Sequence, residues 1–314
     1  MIIFLKKTLT VSFLVVLFLG FGKAVYADNF ESENNSSIQS RITFSDPSYI
    51  TLRGGFGNIE NLMYQANLAP DFNIRFKKYP NLGLELTPHM LIRMIDQYSH
   101  PVRTPSYMPK ATAYYRIKGQ SIGKETIPFL TFGHHSNGQD GAFYYTDSLA
   151  ANGDSIINKV NGSFAFNYFA GGVMLLGTDN KTFNPMTKAK FSVQYCLIRQ
   201  LTLKDIYGKV RFTADLESDF AISKERPDFF SQQKSRSKII SSMQAGWIAG
   251  SMLNAESLDL DRLIFSWTLA YQPALFSDFA LFARYYYGQD YYNINFDRTI
   301  SLVQFGLSIR NLGN

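Results

Sequence analysis

The sequence predicts an all-β chain, a transmembrane antiparallel β-barrel of about twelve strands. Three observations carry that expectation. The first is an export signal. Lys6 and Lys7 precede an apolar core from Leu9 to Gly22, and Val25-Tyr26-Ala27 makes a small-residue cleavage site, so residues 1–27 read as a signal peptide rather than a membrane anchor. The second concerns what holds an exported chain of 314 residues together. It has one cysteine, Cys196, so no disulfide framework staples it, and a lone thiol of this kind reads as a packed or lumen-facing residue. Beyond the N-terminus no apolar run reaches the ~18 residues of a spanning helix. The third is a period-two alternation of apolar and polar residues over stretches of roughly ten, with aromatics near the ends. A soluble β-sandwich tolerates alternation, but it seldom needs strands so long, and it is expected to carry more charge than the 18% found here.

Removing the signal takes away three lysines and no acid, so the formal net charge falls from +6 to +3. That balance is a weak argument for nucleic acid as a partner. Residues 28–47 are polar and aperiodic, with Asn29, Asn34, Asn35, Ser36 and Ser37 among them, and read as a flexible leader. The barrel is expected over 48–314. Its strands are expected near 48–56, 70–78, 82–95, 108–118, 125–136, 163–177, 186–199, 204–218, 236–250, 262–273, 276–288 and 299–310, an even count, as a single-chain bacterial barrel requires.

The alternation is clearest toward the C-terminus. Phe265, Trp267, Leu269 and Tyr271 alternate with Ser266, Thr268 and Ala270. Val303, Phe305, Leu307 and Ile309 alternate with Gln304, Gly306, Ser308 and Arg310. Segment 206–216 shows the same period, with Ile206, Val210, Phe212 and Leu216 on one parity. The longest connection, 137–162, is rich in Gly, Asp, Asn and Ser, and a long loop in such a barrel belongs on the extracellular side.

Directly before that loop stands Gly133-His134-His135-Ser136-Asn137-Gly138, closing the apolar run 127–132. On a strand, His134 and Ser136 share one face and His135 takes the other. A His and a Ser so placed can meet, which is the minimum a serine nucleophile needs, since a hydroxyl reacts well only when a base takes its proton. Leu130 and Phe132 share the parity of His134 and Ser136, which turns the pair outward. A polar pair on a lipid-facing surface is costly unless it has a function. A water-soluble substrate would not be sought there, whereas a phospholipid would. His135 is then a pore-lining or rim histidine.

At these residues the chain resembles the outer membrane phospholipase A family, whose His-x-Ser-Asn-Gly motif fits His134-His135-Ser136-Asn137-Gly138. Two further stretches look similar: Pro101-Val102-Arg103-Thr104-Pro105-Ser106-Tyr107-Met108-Pro109, and Asp290-Tyr291-Tyr292-Asn293 through Phe296-Asp297-Arg298-Thr299. The resemblance implies a twelve-stranded barrel that hydrolyses phospholipid acyl esters, needs calcium and is active as a homodimer in the outer membrane. It makes Ser136 the nucleophile and His134 the general base, following triad logic. It asks for an asparagine on the next strand to orient the imidazole. Asn167 suits that place, having an aromatic before it and sharing parity with Phe169, Val173 and Leu175; Asn161 has the same parity but sits beside Gly162, where it also reads as a turn residue. For Ca2+, which takes oxygen ligands, the resemblance points to the loop after the motif, where Gln139 could offer its carbonyl and Asp140, Asp147, Ser148 and Asp154 their side chains. Oxygens from a partner subunit would come from near Ser99 or His100. The alternative to this reading is a non-catalytic barrel, a porin or structural protein carrying a degenerate motif. A twelve-stranded barrel has a narrow lumen that side chains fill, and no carboxylate pair at a strand end supports a protease.

Overall fold

The chain forms a closed antiparallel barrel of twelve strands. The computed structural model describes residues 42–309, apart from 45, 119–124, 150–154, 178–183, 199–200, 230–233, 253–255, 257 and 277. Residues 1–27, expected to be a signal peptide, and residues 310–314 lie outside the described residues. The first four strands are interrupted. They are built from Ser48–Thr51 with Phe56–Gly57, from Leu62–Leu68 with Phe72–Phe76, from Tyr79–Thr87 with Met90–Ile95, and from Ser106–Tyr107, Lys110–Tyr115 and Ile117–Lys118. The other eight are continuous: Glu125–Ser136, Ala165–Leu176, Asn184–Leu197, Val210–Ala221, Lys238–Ala249, Leu263–Gln272, Phe279–Gln289 and Thr299–Ile309. Closure is made by the first strand, which places Ser48 opposite Ile309 on one side and Tyr49 opposite Asn67 on the other. Closure leaves no open edge.

Period two decides which way each side chain points. On the fifth strand Ile127, Thr131 and His135 are buried in the lumen, while Leu130 and Phe132 are exposed on the outer face. On the last three strands Trp267, Tyr271, Leu281, Phe305 and Leu307 are likewise exposed outward. These are the apolar partners of the alternation in the sequence. Gly133 faces inward, and a side chain there would overlap the ring of Tyr168 on the neighbouring strand. Tyr114 lies across Gly83 in the same way.

Four stretches differ from expectation, the first being Leu62–Leu68, which opens the second strand although the sequence places that strand only near 70–78. Within 204–218 the chain first forms a short helix, Leu201–Tyr207, and the strand begins only at Val210. The buried residues Leu203, Ile206 and Tyr207 are spaced three and four apart, a helical period, and Gly208 at φ 86° ends the helix in a left-handed turn. Ile206 therefore belongs to that helix and not to the strand alternation. The 137–162 connection contains a hairpin of its own, Tyr144–Leu149 against Ser155–Ile157. Finally, Ile42 and Phe44, assigned by composition to the flexible leader 28–47, are buried inside the barrel.

An apolar cluster sits at each end of the lumen. At the end where Ser136 sits, Phe143, Phe164, Phe166, Leu203, Tyr207 and Phe296 pack into an apolar cap that includes the buried thiol of Cys196. At the far end Ile42 and Phe44 pack against Tyr114, Ile127, Met174 and Leu176. The Phe44 backbone is gripped by two charged side chains of the wall. Its N–H donates to both carboxylate oxygens of Glu85 at 3.1 Å, and its carbonyl accepts from Lys110 at 3.0 Å. Between the caps lies a cavity of about 270 Å³, whose lining includes Tyr49, His89, Lys190, Asp215, Glu217 and Arg284. Phe44→Ala is expected to destabilise the barrel by about 3 kcal/mol, the lower end for deleting a buried phenyl ring. Urea unfolding in lipid vesicles checks this, and an unchanged midpoint would show that the segment is not part of the fold.

Candidate active site

His134 and Asn167 face each other directly across the fifth and sixth strands. The His134 backbone N–H donates instead to Pro109 of the fourth strand, at 2.9 Å. The His134–Asn167 pair is therefore the narrow, non-hydrogen-bonded kind, in which opposed side chains stand closest. Between them runs a contact of 2.8 Å from His134 Nδ1 to Asn167 Oδ1. An amide oxygen only accepts, so Nδ1 carries a proton, and in the neutral ring the lone pair is then on Nε2. Ser136 is two residues on, the last residue of the same strand and on the same outward face. Among the described residues no hydrogen bond joins its hydroxyl to His134; such contacts are often long before substrate is bound. Asn161 is elsewhere, in a turn where its Oδ1 accepts from Asn158 at 2.7 Å.

The segment after Ser136 is held by the buried amide of Asn137. Its Nδ2 lies 2.7 Å from Asn293 Oδ1, 2.8 Å from the Gly162 carbonyl and 2.9 Å from Gln139 Oε1. Its Oδ1 accepts from the Phe164 N–H at 3.2 Å. Gln139 also donates to Thr104 Oγ1 and to the Val160 carbonyl, each at 3.2 Å. Ser106 donates to the Tyr291 carbonyl and accepts from the Asn293 N–H at 2.6 Å. Three stretches that are far apart in sequence, 101–109, 133–139 and 290–298, thus meet at one rim of the barrel. Of these contacts, Thr104, Ser106 and Asn293 were not singled out by residue type. Their only sequence signal was the likeness of the two flanking stretches.

An ion network ties the last of these stretches down. Arg93, inside the barrel, makes two parallel bonds of 2.8 Å to the Asp290 carboxylate. Arg298 and Glu60 join it, with Arg298 to Glu60 at 2.6 Å and Arg93 to Glu60 at 3.6 Å. Burial by itself would push the Glu60 carboxyl up, but Arg93 and Arg298 outweigh it and hold it below the usual range. Burial pushes the Tyr292 phenol, stacked over Arg93, up to about 12 against the pull of that cation.

His135 lies on the opposite face from His134, 1% exposed, with its ring edge-on to Phe164, Phe166 and Tyr207 and its Nδ1 3.4 Å from the Tyr207 hydroxyl. Beneath it Arg211 is sandwiched between Tyr207 and Tyr291. This aromatic layer is the floor on which the rim loops rest.

The donor set does not by itself make a calcium site. Ca2+ takes six to eight oxygens, and among the described residues no group of three or more His, Cys, Asp or Glu could hold a metal. Asp140 is exposed, and the amide of Gln139 is already engaged by Asn137, Thr104 and Val160. The side chains of Asp147 and Ser148, and all of Asp154, lie outside the described residues. Ser99 and His100 are exposed at a loop tip with φ of 68° and 41°, a backbone conformation few such residues adopt.

The chain matches no protein-family model and no curated protein sequence. Among solved structures it is similar to the outer membrane phospholipase A from Escherichia coli, at 11% identity and a TM-score of 0.53, over 87% of this chain and 96% of that one. At this identity the likeness is one of fold.

Proposed function

We propose that this barrel is an outer-membrane hydrolase of phospholipid acyl esters, with Ser136 as nucleophile, His134 as general base and Asn167 as the residue that orients it. The observation that carries the reading is the 2.8 Å His134–Asn167 contact beside Ser136, on a face whose neighbours Leu130 and Phe132 are apolar and exposed. In the proposed reaction Ser136 Oγ bonds to the ester carbonyl carbon, and His134 Nε2 takes the hydroxyl proton. The same nitrogen returns that proton to the departing alcohol oxygen, and water then releases the fatty acid from the serine. Asn167 keeps Nδ1 protonated, so that the lone pair remains on Nε2, the nitrogen that takes the Ser136 proton. The loop 137–162 faces the exterior, which sets the site at the level of the outer leaflet. A homodimer and Ca2+ belong to this reading through the family resemblance.

Folded protein in detergent micelles is expected to release fatty acid from a diacyl phospholipid, to lose that release on chelation and to regain it with added calcium. No release under any of these conditions would sink the reading. Release that chelation leaves untouched would remove calcium from it and keep the esterase. The porin alternative predicts steady conductance in a planar bilayer, and the apolar clusters at the two ends of the lumen narrow any such path.

A further inference from the structure

We propose that Asn137 is a positioning residue, through which the last rim loop, residues 290–298, holds Ser136 in its reactive place. The inference rests on the reading of Ser136 as nucleophile. Asn137 is covalently next to Ser136, and its side chain is 0% exposed. A carboxamide has two N–H donors, yet three acceptors lie within 2.9 Å of Nδ2, and its oxygen takes the Phe164 N–H. Two of these partners, the Gly162 carbonyl and the Phe164 N–H, belong to the chain entering the strand that carries Asn167. One amide thus joins the end of the nucleophile's strand to the start of the orienting residue's strand. Of the other two, Gln139 Oε1 is local and Asn293 Oδ1 comes from a loop distant in sequence.

That loop is a rigid support. Asp290 is locked by Arg93 through two bonds of 2.8 Å, and Asn293 is held at φ 51° with its N–H donated to Ser106. A left-handed conformation is one that asparagine tolerates better than most residues. The path from the buried ion pair to Ser136 is therefore short: Arg93, Asp290, Asn293, Asn137. Every member is hydrogen-bonded and none depends on substrate. Preorganised contacts of this type matter because a displacement of about 1 Å at a reacting atom lowers rate on the order of 100-fold.

The test measures Ser136 reactivity per folded barrel. Purified variants in detergent, sorted for folding by heat-modifiable gel mobility, are treated with a sulfonyl fluoride, and hydrolysis of a soluble p-nitrophenyl ester gives kcat and KM. Asn137→Ala is expected to slow sulfonylation and lower kcat by roughly 10- to 100-fold with KM unchanged. Asn293→Ala, which removes the far partner and alters no strand, is expected to lower both in the same direction. The double variant is expected to be no slower than Asn137→Ala, because both substitutions cut one path. A purely structural role would lower the yield of folded barrel and leave the rate of each folded molecule unchanged. Should Asn137→Ala fail to fold, Asn293→Ala alone decides, and a wild-type rate in it overturns the inference. Additive losses in the double variant overturn it as well. A wild type that the probe does not modify overturns the reading of the site itself and this inference with it. A wild type modified at Ser136, beside an undiminished Asn137→Ala variant, overturns the inference alone.

Discussion

Replacing Ser136 by alanine is expected to reduce fatty-acid release by about four to six orders of magnitude, the range set by removing the nucleophile of a serine triad. The fold should not change, because Ser136 ends its strand and its side chain faces outward. The barrel's heat-modifiable mobility and urea midpoint should therefore match the wild type. His134→Ala should fall in a similar range, since base and nucleophile act as one unit and their losses do not add. Asn167→Ala should cost less than either, because an imidazole without its partner still samples the right tautomer part of the time. The measurement is fatty-acid release per folded barrel from a diacyl phospholipid in micelles. Undiminished release by Ser136→Ala would place the chemistry elsewhere or deny it altogether.

The second large effect concerns stability. Asp290→Ala is expected to destabilise the barrel by about 3 kcal/mol, because the buried Arg93 guanidinium loses the carboxylate that takes its two short bonds and keeps only the carboxylate of Glu60, at 3.6 Å. Arg93→Met combined with Asp290→Leu should be far milder than Asp290→Ala, since a well-packed apolar pair is often neutral relative to a buried ion pair. Urea titration in vesicles separates the two outcomes, and an Asp290→Ala midpoint equal to wild type would show the pair to be idle. Glu60, in the same network, has its pKa lowered. Its contribution is therefore fully present above the ordinary carboxylate range and is lost as the pH falls through that range and below it.

Much of this fold could be read from residues alone, because a barrel's outer face repeats one simple rule. Trp267, Leu269 and Tyr271 alternate with small or polar residues, and strands that obey such a rule announce their length and orientation. The eighth strand was harder. Leu203, Ile206 and Tyr207 satisfy a helical period, but Ile206 also fits the parity of Val210 and Phe212. Only packing against the aromatic cap decides between the two. Ile42 and Phe44 were invisible for a different reason: two apolar residues in a polar stretch carry no periodicity, and their partners Glu85 and Lys110 lie elsewhere in the chain. At the site, strand parity sets His134 and Ser136 on one face and His135 on the other. The closeness of Asn167 depends on register across a long connection, which no local pattern encodes. The anchoring of Asn137 by Asn293 is harder still, since it joins loops that are distant in sequence.

The uneven build of the strands also bears on how the chain assembles. From Glu125 to Ile309 the eight continuous strands pair each with the next in sequence, so that sheet can grow by short-range steps. The seam that turns it into a cylinder joins Ser48 to Ile309, the two ends of the described strands, and it is made by one of the interrupted strands. Pairing of such distant segments is entropically slow. Zipping of this seam is accordingly the step expected to limit the rate of folding, and the Phe44 backbone, clasped by Glu85 and Lys110 just before Ser48, is placed to dock the late-arriving strand in register.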